Sequence, residues 1–151
     1  MFNLKRSLSK IGIIAMLVTS CNKDHGTNPS KCPCSPGDPA ITFSYVPSIG
    51  SFENLKGCVC NVNNPTEYAV AVYIRVGSGW WTKPYWSNPL TTIHDDGSWE
   101  CDITTGGIDE RATEIAAYGV PKTYNPPLLR GGSTFPAELD SVAIAKAKVT
   151  R

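Results

Sequence analysis

The sequence predicts an all-β fold, an antiparallel β-sandwich, and three observations carry that prediction. From Ile41 onward the apolar residues recur in short period-two runs, spaced roughly 10–20 residues apart as strands of a sandwich are. The 12 prolines and 13 glycines punctuate the chain between those runs. No stretch carries the apolar period of a convincing amphipathic helix.

The domain limits follow from what precedes the strands. Lys5, Arg6 and Lys10 lead into the apolar run Ile-Gly-Ile-Ile-Ala-Met-Leu-Val over residues 11–18. That run falls short of the ~20 apolar residues that span a bilayer. A basic start, a short apolar stretch and small residues behind it read as an export signal over residues 1–20. The closing Val18-Thr19-Ser20-Cys21 is similar to a lipobox. The resemblance implies a bacterial lipoprotein with Cys21 as its lipid-attachment site, acylated after cleavage. Acyl chains contribute about 0.8 kcal/mol per buried methylene, so such an anchor holds a domain on a membrane without a transmembrane helix. Residues 21–40 carry four prolines (Pro29, Pro33, Pro36, Pro39) and two glycines with almost no large apolar side chain, and read as a linker. Residues 41–151 form the single domain.

Within it, the clearest strand is Tyr-Ala-Val-Ala-Val-Tyr-Ile-Arg-Val over residues 68–76, with Val70, Val72, Ile74 and Val76 on one face. Small or polar side chains mostly fill the other face, Tyr73 excepted. Residues 55–62 make a second strand, Leu55 and Val59 facing one way and Cys58, Cys60 and Val62 the other. Residues 91–94 and 98–103 flank Asp95-Asp96-Gly97, a hairpin signal because Asp-Gly supplies the positive φ of tight turns. Residues 114–120, halted by Pro121, and residues 141–149 complete five or six strands. The Pro- and Gly-rich residues 123–139 read as a long loop with one helical turn at Pro136-Ala-Glu-Leu139.

Besides Cys21 there are five cysteines: Cys32, Cys34, Cys58, Cys60 and Cys101. An odd number cannot pair completely, and an oxidising exterior favours one or two disulfides plus a remaining thiol. Three states stay open: linker-to-domain disulfides, unpaired thiols, or four thiolates on zinc, the last disfavoured because structural zinc sites prefer two residues between cysteines. Removing Lys5, Arg6 and Lys10 with the signal leaves 11 of the 14 basic residues against 13 acidic ones. That balance holds no basic patch and excludes nucleic acid as a partner.

The most unusual stretch is Trp80-Trp81-Thr82-Lys83-Pro84-Tyr85-Trp86, which places three of the four tryptophans within seven residues. Rings in a proline-bracketed loop suit stacking on the apolar faces of pyranose sugars, with Lys83, Asn88 and Asp95 as hydrogen-bonding candidates. Trp80, Trp81, Tyr85 and Trp86 are therefore the candidate ligand-binding residues. Adjacent Trp80 and Trp81 on a strand point to opposite faces, so one is expected buried and one more exposed. The competing reading has the rings closing the core. His94-Asp95-Asp96 sits where the hairpin turns, and the other histidine, His25, lies in the linker, so little general-base chemistry can be placed. Asp102, Asp109 and Glu110 around Thr104-Thr105-Gly106-Gly107 offer oxygens for calcium, yet such loops are usually solvated turns. No catalytic residue, metal or cofactor is expected.

Phe52-Glu-Asn-Leu-Lys-Gly57, Trp81-Thr-Lys-Pro84, Asp96-Gly-Ser-Trp99, Asp102-Ile-Thr-Thr-Gly-Gly107 and Tyr124-Asn-Pro-Pro-Leu128 together make the domain similar to a bacterial extracellular module found in secreted proteins, some of them attached to polysaccharide-active enzymes. The strand and hairpin arrangement also resembles prealbumin-like or Ig-like sandwiches. The resemblance carries no catalytic residues. It implies a non-catalytic binding module, for saccharide, held at the cell envelope by its anchor, at the outer membrane or cell surface rather than the inner membrane. The alternative is a structural or protein-interaction component of the envelope, using an edge strand or residues 123–139.

Overall fold

The computed structural model describes residues 32–151, so the expected export signal, the expected lipid-attachment site Cys21 and His25 lie outside the described residues. Nine strands follow in order: β1 (Ala40–Tyr45), β2 (Leu55–Cys60), β3 (Tyr68–Val76), β4 (Gly79–Lys83), β5 (Thr91–Thr92), β6 (Ser98–Cys101), β7 (Glu114–Pro121), β8 (Arg130–Gly132) and β9 (Ala145–Thr150), with one short helix, α1 (Ala137–Val142), between the last two. A small sheet runs β1-β2-β6, and a larger one runs β8-β4-β3-β7-β9 with β5 also paired to β3. Every pairing is antiparallel. The two sheets pack as the expected all-β sandwich.

The alternation read from the sequence places the core. Val70, Val72 and Ile74 of β3, with Ile115 and Ala117 of β7, meet Leu55 and Val59 of β2 and Trp99 of β6. Trp99 is 1% exposed and fills the space over Gly57, its cross-strand partner. A Cβ at position 57 would stand 2.3 Å from the Trp99 ring, so the bulk of one residue requires the absence of a side chain at the other. Val62 joins this core although alternation from Val59 puts it on the outer face. The strand has ended by then, and Asn61, with φ 59°, turns the chain.

The other face of β3 is also buried. Ala71 and Tyr73 of β3, Ala116, Tyr118 and Val120 of β7 and Trp80 of β4 lie under Leu129, Phe135 and Leu139. Phe135 is the centre of this second cluster, with ring centroids 4.5 Å from Trp80, 5.4 Å from Tyr73 and 5.5 Å from Tyr118. The Tyr73 hydroxyl donates to the Pro127 carbonyl at 3.0 Å. The segments on either side of β8, residues 122–129 and 133–143, therefore form a third layer rather than a free loop, and β3 is apolar on both faces because both are covered.

Three strands lie beyond the expected five or six: β1, β4 and β8. The expected strand over residues 141–149 divides, since Ser141 and Val142 close α1 and β9 begins at Ala145. The helical turn is what delivers Leu139, fully buried, to the second cluster. The turn expected at Asp95-Asp96-Gly97 forms, with Gly97 at φ +83°, but the strands it joins part company: β5 pairs with β3 in the larger sheet and β6 with β2 in the smaller, and only the Ile93–Trp99 bridge links them, so the expected hairpin is a crossing between sheets. Its turn closes as His94 N–H donates to Ser98 O and Gly97 N–H to His94 O, both at 2.9 Å.

Cys32–Cys58 and Cys34–Cys60 are disulfides with Cα separations of 5.7 and 5.5 Å, and Cys101 is a buried free thiol. Of the open cysteine states, linker-to-domain bridging is the one adopted, and it leaves no thiolate for zinc. The bridges strap residues 32–39 onto the outward face of β2, where Asn61 Nδ2 donates to the carbonyls of Ser35 and Asp38 at 3.0 Å. This part of the expected linker thus belongs to the domain.

Candidate ligand-binding groove

The β3–β4 hairpin turns at Gly77, φ +61°, and sends back Gly79-Trp80-Trp81-Thr82-Lys83 as β4. Alternation sorts the paired tryptophans as expected. Trp80 turns into the second cluster and is 3% exposed, whereas Trp81 turns to the opposite face and is half-buried. β8 approaches β4 closely at Gly79, where a Cβ would stand 2.6 Å from the Gly131 carbonyl oxygen, and Gly131 itself takes φ +96° beside the Trp81 ring.

After the cis Lys83–Pro84 bond the chain leaves the sheet in a turn closed by Asn88 N–H donating to Tyr85 O at 3.2 Å. This excursion projects Tyr85 and Trp86, 52% and 46% exposed. Arg130 places its guanidinium 4.2 Å from the centre of the Trp86 ring, a contact of ~0.5–1 kcal/mol at an exposed site that holds the indole in one orientation. Facing these rings are residues 105–109. Between the two walls lies an open groove of about 860 Å3, lined by Trp81, Tyr85, Trp86, Val76 and Ile108 above a polar floor.

That floor is the ion pair of Lys83 and Asp109, side chains of residues only 6% and 8% exposed. Lys83 Nζ also donates to Thr105 Oγ1 at 3.1 Å, and Thr105 Oγ1 donates its own proton to the Pro84 carbonyl at 2.5 Å. Gly106 N–H donates to Asp109 Oδ2 at 2.9 Å. These bonds fasten residues 105–109 to the end of β4 and fix the width of the groove.

Of the four candidate ring residues, the structure brings together Trp81, Tyr85 and Trp86. Trp80 is a correction: its alternation points it through the sheet, so it supports β4 from behind and lines nothing. Lys83 faces the groove with its charge already paired, and Asn88 and Asp95 lie outside the lining. The acidic residues weighed for calcium diverge. Asp102 Oδ1 accepts from Thr104 N–H and Oγ1 at 2.9 and 3.1 Å, Asp109 pairs with Lys83, and Glu110 lies 3.6 Å from Arg111. Among the described residues no three His, Cys, Asp or Glu side chains converge on a metal position. His94 is exposed in its hairpin turn. Sequence reasoning missed Ile108, 54% exposed, and Thr105 as groove residues: the Thr104-Thr105-Gly106-Gly107 run was read only as a turn, and nothing in it points to the rings across the groove.

Compared with known protein families, with curated proteins and with solved structures, the chain matches none.

Proposed function

We propose that this protein is a lipid-anchored component of the bacterial cell envelope whose domain binds saccharide, without catalysis, in the aromatic groove. The observation that carries the reading is the convergence of Trp81, Tyr85 and Trp86 on one open trough. Large rings exposed together in a concave site are what an amphipathic, ring-shaped ligand requires, and their burial in the free protein is incomplete. Ser87 and the backbone of residues 105–107, which also line the groove, supply hydrogen bonds to hydroxyls. Trp80 and Arg130 hold the rings from behind and beside.

A non-catalytic role is supported by the carboxylates. Glycoside hydrolysis takes two of them flanking the bond. The groove is lined by one, Asp109, and it is engaged by Lys83 and Gly106. Envelope anchoring rests on the export signal and Cys21.

A polysaccharide affinity gel and a glycan array, run with the chain lacking residues 1–21, test the reading. The expected result is retention by at least one glycan class that disappears in Trp81→Ala and Trp86→Ala. Retention by none, or retention unchanged by those substitutions, overturns it. A second reading, a protein-interaction role in the envelope, is favoured by Ile49 and Phe52, large apolar side chains that are 51% and 72% exposed. Crosslinking on membranes that recovers one dominant partner, and loses it in Phe52→Ala, would favour it over the saccharide reading.

A further inference from the structure

We propose that Lys83 and Asp109 condense to an intramolecular isopeptide bond that ties β4 covalently to residues 105–109. Among the described residues these are the only two charged side chains on buried residues, and they are in contact with each other. The other lysine pairs differ in kind. Lys56–Glu100, Lys146–Asp140 and Lys148–Glu114 each have a lysine side chain at least half exposed, at 52%, 61% and 54%.

The surroundings of the pair suit condensation. Thr105 Oγ1 spends its proton on the Pro84 carbonyl, so it presents a lone pair to Lys83 Nζ and orients the nitrogen. Gly106 N–H donates to Asp109 Oδ2, where negative charge would grow as Cγ becomes tetrahedral. The nitrogen and the carboxyl are thereby held in place from separate sides, the arrangement in which proximity replaces an encounter. The product also removes a cost. Two charges taken from water repay their desolvation only in part, whereas an amide leaves no formal charge inside.

The step balances without an oxidant or co-reactant. One proton passes from the Lys83 ammonium to the Asp109 carboxylate, leaving an amine and a carboxylic acid. The amine lone pair forms the Nζ–Cγ bond, a second proton moves from Nζ to the hydroxyl on Cγ, and the C–OH bond breaks to release water. One ammonium and one carboxylate become one secondary amide and one water. Both residues line the groove, which gives that water an exit. The three rings are not consumed, so this inference stands apart from the saccharide reading.

The test is mass spectrometry of the full chain after purification, reduction, alkylation and trypsin digestion. Trypsin does not cut at Lys83 because Pro84 follows, and the sequence has no other Lys or Arg between Arg75 and Arg111, so residues 76–111 come as one peptide. The expected peptide is lighter than its composition by one water, yields no backbone fragments separated between positions 83 and 109, and keeps Lys83 unmodified when the unfolded chain is treated with an amine-specific reagent. Lys83→Arg, which preserves the charge, restores the full mass. A wild-type peptide of full mass with a reactive Lys83 overturns the proposal. So does a missing water localised to Asp96-Gly97 as a succinimide, with fragments between positions 83 and 95 intact. These readouts on the wild-type chain stand even if the variant folds poorly.

Discussion

Removing the two disulfides one at a time and then together tests whether residues 32–39 are part of the folded unit. Cys32→Ala with Cys58→Ala deletes one bridge, and Cys34→Ala with Cys60→Ala deletes the other. Each closes a loop of sequence separation 26, for which loop-closure entropy in the unfolded chain gives ~3.5 kcal/mol. The two loops nearly coincide. With either bridge intact, the second closes only a ring of a few residues, and the same relation gives ~2 kcal/mol. Loss of one bridge should therefore cost about 2 kcal/mol and loss of both about 5–6 kcal/mol, more than twice the single effect. Urea denaturation followed by tryptophan fluorescence, comparing the two double variants with the quadruple one, reads this directly. Equal and additive losses would refute the overlapping-loop reasoning. A quadruple variant within ~1 kcal/mol of wild type would show that the strap adds nothing to the fold.

Four further outcomes follow from the packing. Gly57→Ala drives a Cβ to 2.3 Å from the Trp99 ring and should cost about 1–3 kcal/mol, and Trp99→Ala about 3–5 kcal/mol, in thermal or urea unfolding. Phe135→Ala should cost about 3 kcal/mol by opening the second cluster, whereas Leu128→Ala, 40% exposed, should stay within ~0.5 kcal/mol. Burial pushes the Cys101 thiol up to about 12, so a thiol reagent at pH 8 should label it only after unfolding, and rapid labelling of the folded chain would contradict its place in the core. Hydrogen bonds from the Ser98 side chain and backbone hold the Asp96 carboxyl below its usual range, and those from Lys148 and Arg75 do the same for Glu114. A carboxyl depressed in the folded state adds stability that is present above its unfolded value and is lost as pH falls through the folded one. Unfolding titrations from pH 6 downward should show that loss in wild type and less of it in Asp96→Asn/Glu114→Gln.

The sandwich was legible because its central residues alternate cleanly. Val70, Val72 and Ile74 state which face of β3 is inward, and Asp96-Gly97 states where the chain turns, though not that β5 and β6 leave that turn for different sheets. The limits of β3 and β7 are close to those read from the sequence, since Gly77 and Pro121 mark their ends. The second cluster was signalled only by Tyr73, the one large side chain on a face otherwise read as small or polar. Its cover comes from Leu129, Phe135 and Leu139, isolated apolar residues in a segment whose prolines and glycines suggest an open loop. β8 contains two glycines in three residues and has no strand signal of its own; it exists because Gly131 tolerates φ +96° beside Trp81. In the groove, the ring residues were visible as composition, and period two separated Trp80 from Trp81. The opposing wall was not visible, because Thr105, Ile108 and Asp109 reach it only through tertiary bonds to Lys83 and Pro84.

Calorimetric titration of the chain lacking residues 1–21 with oligosaccharides of increasing length shows whether the groove rings bind saccharide as proposed. Wild type should bind with an affinity that rises until the chain of sugars spans the rings. Trp86→Ala should weaken it about tenfold, a loss of ~1.4 kcal/mol, while Phe52→Ala leaves it unchanged. Affinity that is untouched by Trp81→Ala, Tyr85→Ala and Trp86→Ala alike, or that falls with Phe52→Ala instead, would show that the groove is not the saccharide site.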